Sequence, residues 1–130
     1  MAIKTSRILL VGGEPELAEL CVATLEKDNA AHVLMVLGQE HGDRVVSIAE
    51  AFRPDAVLLL AINHMTPLGG AEVCRQLRAN AVTGTAKIIL FSSDGLKKGL
   101  RAAKACGADA FISKPFDPEK LLEMLELLLS

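Results

Sequence analysis

The chain has 130 residues, 51% of them hydrophobic, with a formal net charge of −2 at pH 7 and a mean hydropathy of +0.36. That length fits one domain around one core, and the apolar content excludes an intrinsically disordered chain. No run of Lys or Arg supplies the basic face that neutralises phosphates, so nucleic-acid binding is not expected.

No apolar run reaches the roughly 18 residues that span a bilayer, and the opening M-A-I-K-T-S-R has no apolar core of a signal peptide. A cytoplasmic protein without a membrane partner is expected. Cys21, Cys74 and Cys106 are widely spaced and odd in number, match no zinc or disulfide pattern, and read as buried thiols. Trp and Tyr are absent, which removes tyrosine chemistry and aromatic base-stacking.

In chain order, Ile8 to Val11 reads as a first strand that stops at Gly12-Gly13. Glu14 to Lys27 follows as a helix, with Pro15 in its first turn, where a missing N–H is harmless. Leu17, Leu20, Cys21, Thr24 and Leu25 recur at helical spacing as its core face. His32 to Leu37 is a second strand and Gly38 to Gly42 a polar loop. Asp43 to Phe52 is a helix turned inward through Val45, Val46, Ile48 and Ala49. After the turn at Pro54-Asp55, Ala56 to Ala61 or Ile62 contains no polar residue, the pattern of a central parallel strand buried on both faces. Asn63 to Gly70 is a long loop, and Ala71 to Ala79 a helix with Val73, Cys74 and Leu77 inward. Lys87 to Phe91 is a fourth strand, Ser92 to Gly95 its loop, and Leu96 to Cys106 an exposed basic helix capped by Gly107. Ala110 to Ser113 is a short fifth strand. Asp117 then caps a final helix, Pro118 to Leu129.

Five strands alternating with five helices predict an α/β fold: an open, doubly wound parallel sheet of flavodoxin-like type, in three α/β/α layers with strand order 2-1-3-4-5. The loops after strands one, three, four and five then share the carboxyl edge, where ligands bind in such sheets.

Five segments in this order resemble the response regulator receiver domain of two-component systems, over residues 1–130 as a single domain. I-L-L-V-x-x-E-P-E-L is similar to the family's opening strand and acidic loop. R-P-D-A-V-L-L-L is similar to the strand that ends in the phosphoacceptor aspartate, and G-G-A-E-V-C-R-Q-L-R to the helix beyond it. K-I-I-L-F-S-S is similar to the strand ending in a hydroxyl residue, and G-A-D-A-F-I-S-K-P-F to the strand with the switch aromatic and the Lys–Pro pair.

The resemblance implies a chemistry. Two acidic residues after strand one and a third at the end of strand three hold magnesium, which favours close-to-octahedral oxygen ligands. The strand-three aspartate accepts a phosphoryl group, whose charge the metal and the lysine neutralise. Carried over by position, Ser92 matches the hydroxyl, Phe111 the switch aromatic, Lys114 the lysine and Pro115 its partner. Gly12 and Gly13 stand where the acidic pair belongs. Counting forward from Pro54-Asp55 puts Leu60 at the phosphoacceptor; counting back from Gly70 puts Ile62 there, because the loop is slightly longer than the family's. Neither has a carboxylate, and the amide of nearby Asn63 cannot form an acyl phosphate. The expectation is a degenerate receiver, or pseudo-receiver: no enzyme, no cofactor, the magnesium site lost, and a signalling role through protein contacts.

Other readings of the same residues stay open. Gly12-Gly13 before a helix start could cradle an anion, but lacks the G-x-G-x-x-G pattern and reads better as a pliant loop. Lys114 either binds an anion or satisfies loop carbonyls and pairs with Glu14 or Asp94. A small-ligand or anion-binding domain at the carboxyl edge is thus the alternative function. Glu14 and Asp94 alone make a poor cation site, Ser92 has no base to make it a nucleophile, and His64 reads as a solvated loop residue. In the last helix, Leu121, Leu122, Met124, Leu125, Leu127, Leu128 and Leu129 exceed the about four residues that a ~100° core stripe accommodates. The surplus is expected to form an exposed apolar strip. By resemblance, the surface of helix 4, strand 5 and helix 5 is where a homodimer or a kinase, effector or output domain would dock.

Overall fold

The structure, a computed structural model, describes residues 6–11, 15–27, 31–36, 42–59, 69–92, 101, 103–113 and 117–129. Five strands, β1 (Arg7–Val11), β2 (His32–Val36), β3 (Ala56–Leu59), β4 (Lys87–Ser92) and β5 (Ala110–Ser113), form one parallel sheet. Their order is β2-β1-β3-β4-β5, the flavodoxin-like order read from the alternation of elements. The helices are α1 (Pro15–Val22), continued by a π-helical turn (Ala23–Lys27), α2 (Gly42–Phe52), α3 (Gly69–Ala79), α4 (described at 101 and 103–106) and α5 (Pro118–Leu129).

The strands form because their residues can be buried on both sides. Ile8 to Leu10 and Ala56 to Leu59 are wholly inaccessible. Side chains alternate across the sheet, so Leu9, Val57, Leu59 and Ile88 enter one core layer with Val45, Ala49, Val73, Leu77 and Ala103 of α2, α3 and α4. Ile8, Leu10, Leu58 and Ile89 enter the other, with Cys21 of α1, Leu25 of the π turn and Leu121 and Leu125 of α5. Each fully buried Leu or Ile contributes about 2 kcal/mol of transfer free energy.

Several boundaries differ from those read in the sequence. Gly69 and Gly70 belong to α3, not to the preceding loop, and Gly42 opens α2. Ser92 is the last residue of β4 rather than the first of a loop, because pairing with β5 runs on to Ser113. The first helix ends in a π turn: the Thr24 hydroxyl donates to the Leu20 carbonyl at 2.8 Å, competing for an acceptor that an α turn uses for an amide. Leu20 is not a core residue but 43% exposed. Cys21 and Leu25, one helical turn apart, take the centre of the buried stripe, and Leu20 lies about 100° round from Cys21.

The apolar strip expected along α5 is also much reduced. Leu122, Met124, Leu128 and Leu129 pack partly buried against the core, leaving Leu127, 79% exposed, as the one large exposed apolar residue among those described in α5. Asp117 does cap this helix, its Oδ1 accepting from the Glu119 amide at 3.0 Å.

Candidate functional site

The chain enters β2 from β1 on one side and returns past β1 to reach β3 on the other, so the strand order reverses between β1 and β3. A crevice outside the carboxyl ends of those strands is the usual ligand site of such a sheet. Unbroken ladders set Val36, Val11, Leu59, Leu90 and Phe111 abreast near this edge. Gly12 and Leu60 are the residues next in sequence after Val11 and Leu59.

Of the candidate residues, two lie in described strands. Ser92 ends β4 with its backbone level with Ser113, the residue before Lys114. Phe111 is half-buried on β5 and packs against the core layer shared with α3 and α4. Gly12, Gly13, Glu14, Leu60, Ile62, Asn63, His64, Asp94, Lys114 and Pro115 lie outside the described residues. Among the described residues, no three His, Cys, Asp or Glu side chains gather as a metal site would require.

The opposite, amino edge carries polar groups that the sequence did not single out. The Asp55 carboxylate accepts from the Arg7 amide at 2.8 Å, Glu26 from the Val33 amide at 3.3 Å, and Asp109 from the Ile88 amide at 2.8 Å. The Arg7 guanidinium donates to the Phe52 carbonyl at 3.1 Å and lies 5.8 Å from that ring's centroid. Arg78, near the end of α3, donates to the carbonyls of Gly107 (2.7 Å), Gly84 (2.9 Å) and Ala86 (2.6 Å) and forms an ion pair with Asp109. One side chain thus ties α3, the turn after it and the α4–β5 connection together. A cleft of about 450 Å³ lies between α2 and α3, lined by Val46, Ser47, Glu50, Gln76, Ala79 and Asn80. Its lining residues lie in the middle and last turns of α2 and α3, with Asn80 just past the end of α3, rather than at the carboxyl edge.

The three cysteines are free and buried, as their spacing suggested. Cys21 stands alone in the α1 layer, and burial pushes its thiol up to about 12. The fold brings Cys74 of α3 against Cys106 of α4, a pairing no sequence spacing signalled. Cys74 Sγ–H lies 3.3 Å from the Cys106 carbonyl oxygen, so the two thiols are close enough to influence each other's ionisation. The neighbouring Cys74 thiol draws the Cys106 thiol down to about 6, helped by the Ala108 amide and against the effect of burial. The neighbouring Cys106 group, with burial, drives the Cys74 thiol upward. As a thiol, Cys106 donates to the Ala103 carbonyl at 3.6 Å.

Comparison with known proteins places this framework. The response regulator receiver domain matches residues 8–126. Protein PilH of Pseudomonas aeruginosa is 31% identical over 125 residues, a match covering 96% of this chain and 98% of PilH. The transcriptional regulatory protein ResD of Bacillus subtilis is 30% identical over 124 residues, 95% of this chain but only 48% of ResD, so the chain spans about half of that relative. Among solved structures, the receiver domain of sensor histidine kinase PA1611 from Pseudomonas aeruginosa, with a magnesium ion coordinated in its active site cleft, superposes with a TM-score of 0.80. It is 24% identical, and the match covers 95% of this chain and 97% of that one.

Proposed function

The chain belongs to the response regulator receiver domain family, and we propose that it serves two-component signalling as a protein-interaction module without the ordinary aspartyl phosphotransfer. The observation that carries this reading is the sequence of the carboxyl edge. No Asp or Glu occurs between Asp55 and Glu72, and Gly12-Gly13 replaces the acidic pair. A hydrocarbon side chain cannot attack a phosphoryl group, and glycine offers no carboxylate to magnesium. The donor set therefore does not fit the metal, and no step of this function runs through it.

The strand register supports Leu60, rather than Ile62, as the position of the lost nucleophile. Ala56 to Leu59 pair without a bulge to both β1 and β4, so the extra loop residues fall after Leu59. The readout half of a receiver is retained: a hydroxyl residue, Ser92, ends β4, and an aromatic, Phe111, sits on β5. A kinase, an effector or an output domain is the kind of partner such a domain contacts. The chain acts by offering one conformation to it, or by changing conformation when the partner binds.

Incubation with acetyl phosphate, or with beryllofluoride and magnesium, tests the reading. No acid-labile adduct and an unchanged amide NMR spectrum are expected; a stoichiometric adduct or a widespread spectral shift overturns it. The triple substitution Gly12→Asp, Gly13→Asp and Leu60→Asp is expected to restore an adduct, whereas restoration only with Ile62→Asp in place of Leu60→Asp would move the nucleophile position. Lys114, without its usual acidic neighbours, favours a second reading in which the edge binds an anion. A rise in melting temperature with phosphate or sulfate would support it, and no shift with either would remove it.

A further inference from the structure

We propose that Cys74 and Cys106 form a modification site, a dithiol that a hydroperoxide converts to a disulfide joining α3 to α4. The geometry is already that of a pair. Cys74 lies on the buried face of α3 between Val73 and Leu77, and Cys106 on the last turn of α4, with its carbonyl 3.3 Å from the Cys74 sulfur. Each thiol donates to a backbone carbonyl of α4, Cys74 to that of Cys106 and Cys106 to that of Ala103.

The surrounding structure holds them there. Gly107, at φ 85°, ends α4, and the amides of Gly107 and Ala108 both donate to the Ala103 carbonyl, at 3.1 and 2.9 Å. Arg78, one helical turn beyond Cys74, donates to the Gly107 carbonyl at 2.7 Å. The hydrogen bond that ties the helices is therefore adjacent in sequence to one sulfur and one turn from the other. Little conformational entropy remains to be lost when a bond closes between them.

The two sulfurs are also unequal in the way the reaction needs. The thiolate is the nucleophile in thiol oxidation, and Cys106 is the one drawn toward it, to about 6, while Cys74 keeps its proton. Cys106 retains 3% exposure and Cys74 none, so an oxidant reaches Cys106 first. The Cys106 thiolate attacks one oxygen of hydrogen peroxide, the O–O bond breaks, and hydroxide leaves to take up a proton as water. The resulting sulfenic acid is attacked at sulfur by Cys74, which gives up its proton. The S–OH bond breaks, a second water leaves, and the disulfide forms. In total, two thiols lose two electrons and two protons to one peroxide, which is reduced to two waters.

The site is independent of phosphoryl chemistry. Its product fixes the last turn of α4 to α3, beside the core layer on which Phe111 packs. Cys21, alone on the other side of the sheet and with its thiol pushed up to about 12, is the internal control.

The experiment is hydrogen peroxide titration of the folded protein at neutral pH, then denaturation, alkylation and mass spectrometry. The expected product is lighter by about 2 Da before alkylation, takes up alkylating agent at Cys21 alone, and yields a linked Cys74–Cys106 peptide that dithiothreitol releases. The oxidation rate is expected to rise with pH around a midpoint near 6. Cys74→Ser is expected to stall at a dimedone-trappable sulfenic acid on Cys106. Three alkylatable thiols after excess peroxide, oxidation of Cys21 at an equal rate, or a sulfinic acid on Cys106 without a linked peptide would each overturn the proposal. Because these readouts are made on the unsubstituted chain, a variant that fails to fold leaves them intact.

Discussion

Along the amino edge of the sheet, carboxylates accept hydrogen bonds from strand amides: Glu26 from Val33, Asp55 from Arg7, Asp109 from Ile88. Along the carboxyl edge, the stretches that follow β1 and β3 read Gly12-Gly13 and Leu60 to Leu68, with no acid between Asp55 and Glu72. The amino-edge acids are spread out, each against its own donor, and each stabilises the fold. Acids converging at a carboxyl edge repel one another and need a cation to share the site. The two edges therefore answer to different demands. Stability preserves acids at one, and only the metal's chemistry preserves them at the other. Under the proposed function, a chain released from that chemistry would lose the converging set and keep the dispersed one.

The strongest way to break this comparison is at Arg78, which joins three carbonyls to Asp109. Arg78→Ala strands those acceptors and leaves the Asp109 carboxylate, among the described residues, with the Ile88 amide as its one donor. A loss of about 3 kcal/mol is expected from urea unfolding. Arg78→Lys is expected to recover less than half, since an ammonium cannot span the same acceptors as a planar guanidinium. If Arg78→Ala is neutral, the amino edge is not the stabilising one.

A pH titration separates the sheet's interior from both edges. The Cys21 thiol, fully buried, is raised from 9.0 to about 12, so above pH 9 the unfolded chain releases a proton that the folded chain retains. Folded Cys21 then binds more protons than unfolded, and stability falls as pH rises, by about 1.4 kcal/mol per pH unit until the folded thiol itself ionises. The slope of unfolding free energy between pH 9 and 11 is expected to be shallower in Cys21→Ala by that amount. Equal slopes would mean the thiol is not buried as described.

At Asp55 the expected effect is smaller. Its bond to the Arg7 amide is exposed, so Asp55→Ala is expected to lower stability by about 1 kcal/mol, and Asp55→Asn by less, because the amide oxygen still accepts. Urea midpoints of the two variants make the comparison. An Asn variant worse than Ala would contradict the hydrogen-bond account.

How much of this was legible in the sequence depends on whether the signal is local. The apolar runs at Ile8 to Val11 and Ala56 to Leu59 announced strands buried on both faces, and their alternation with helices fixed the 2-1-3-4-5 order. Asp117 announced a cap because capping acts over two residues. Arg78 and Asp109 are 31 residues apart, and each alone reads as a solvated charge. Cys74 and Cys106, 32 apart, fit no spacing rule, because packing of α4 on α3 brings them together, not a motif. Leu20 was misplaced because a helical stripe has a rim, and the pattern alone does not say which residue falls on it. The candidate site was legible only as composition: a missing carboxylate is visible in the sequence, whereas the arrangement of Lys114 and Asn63 is not a local property.

A paired comparison, which includes the small gain expected at Arg53, sets two helix exits at the amino edge side by side. α2 and α4 both end on a residue with positive φ whose amide donates back four residues: Arg53, at 54°, to Ala49, and Gly107, at 85°, to Ala103. Glycine adopts this conformation freely, whereas an L residue is strained there by about 1–2 kcal/mol. Arg53 also precedes Pro54, which restricts its backbone further. Arg53→Gly relieves the strain but gives the unfolded chain more freedom, so the net gain expected is about 0.5 kcal/mol. Gly107→Ala introduces the strain and sets a Cβ 3.4 Å from Cγ of Arg78, so about 1–2 kcal/mol is lost. Opposite signs from one chemical difference, read by paired urea unfolding, would show that backbone conformation limits stability at both exits. Equal signs would mean that the Arg53 side chain holds the α2–β3 turn by contacts that outweigh its strain.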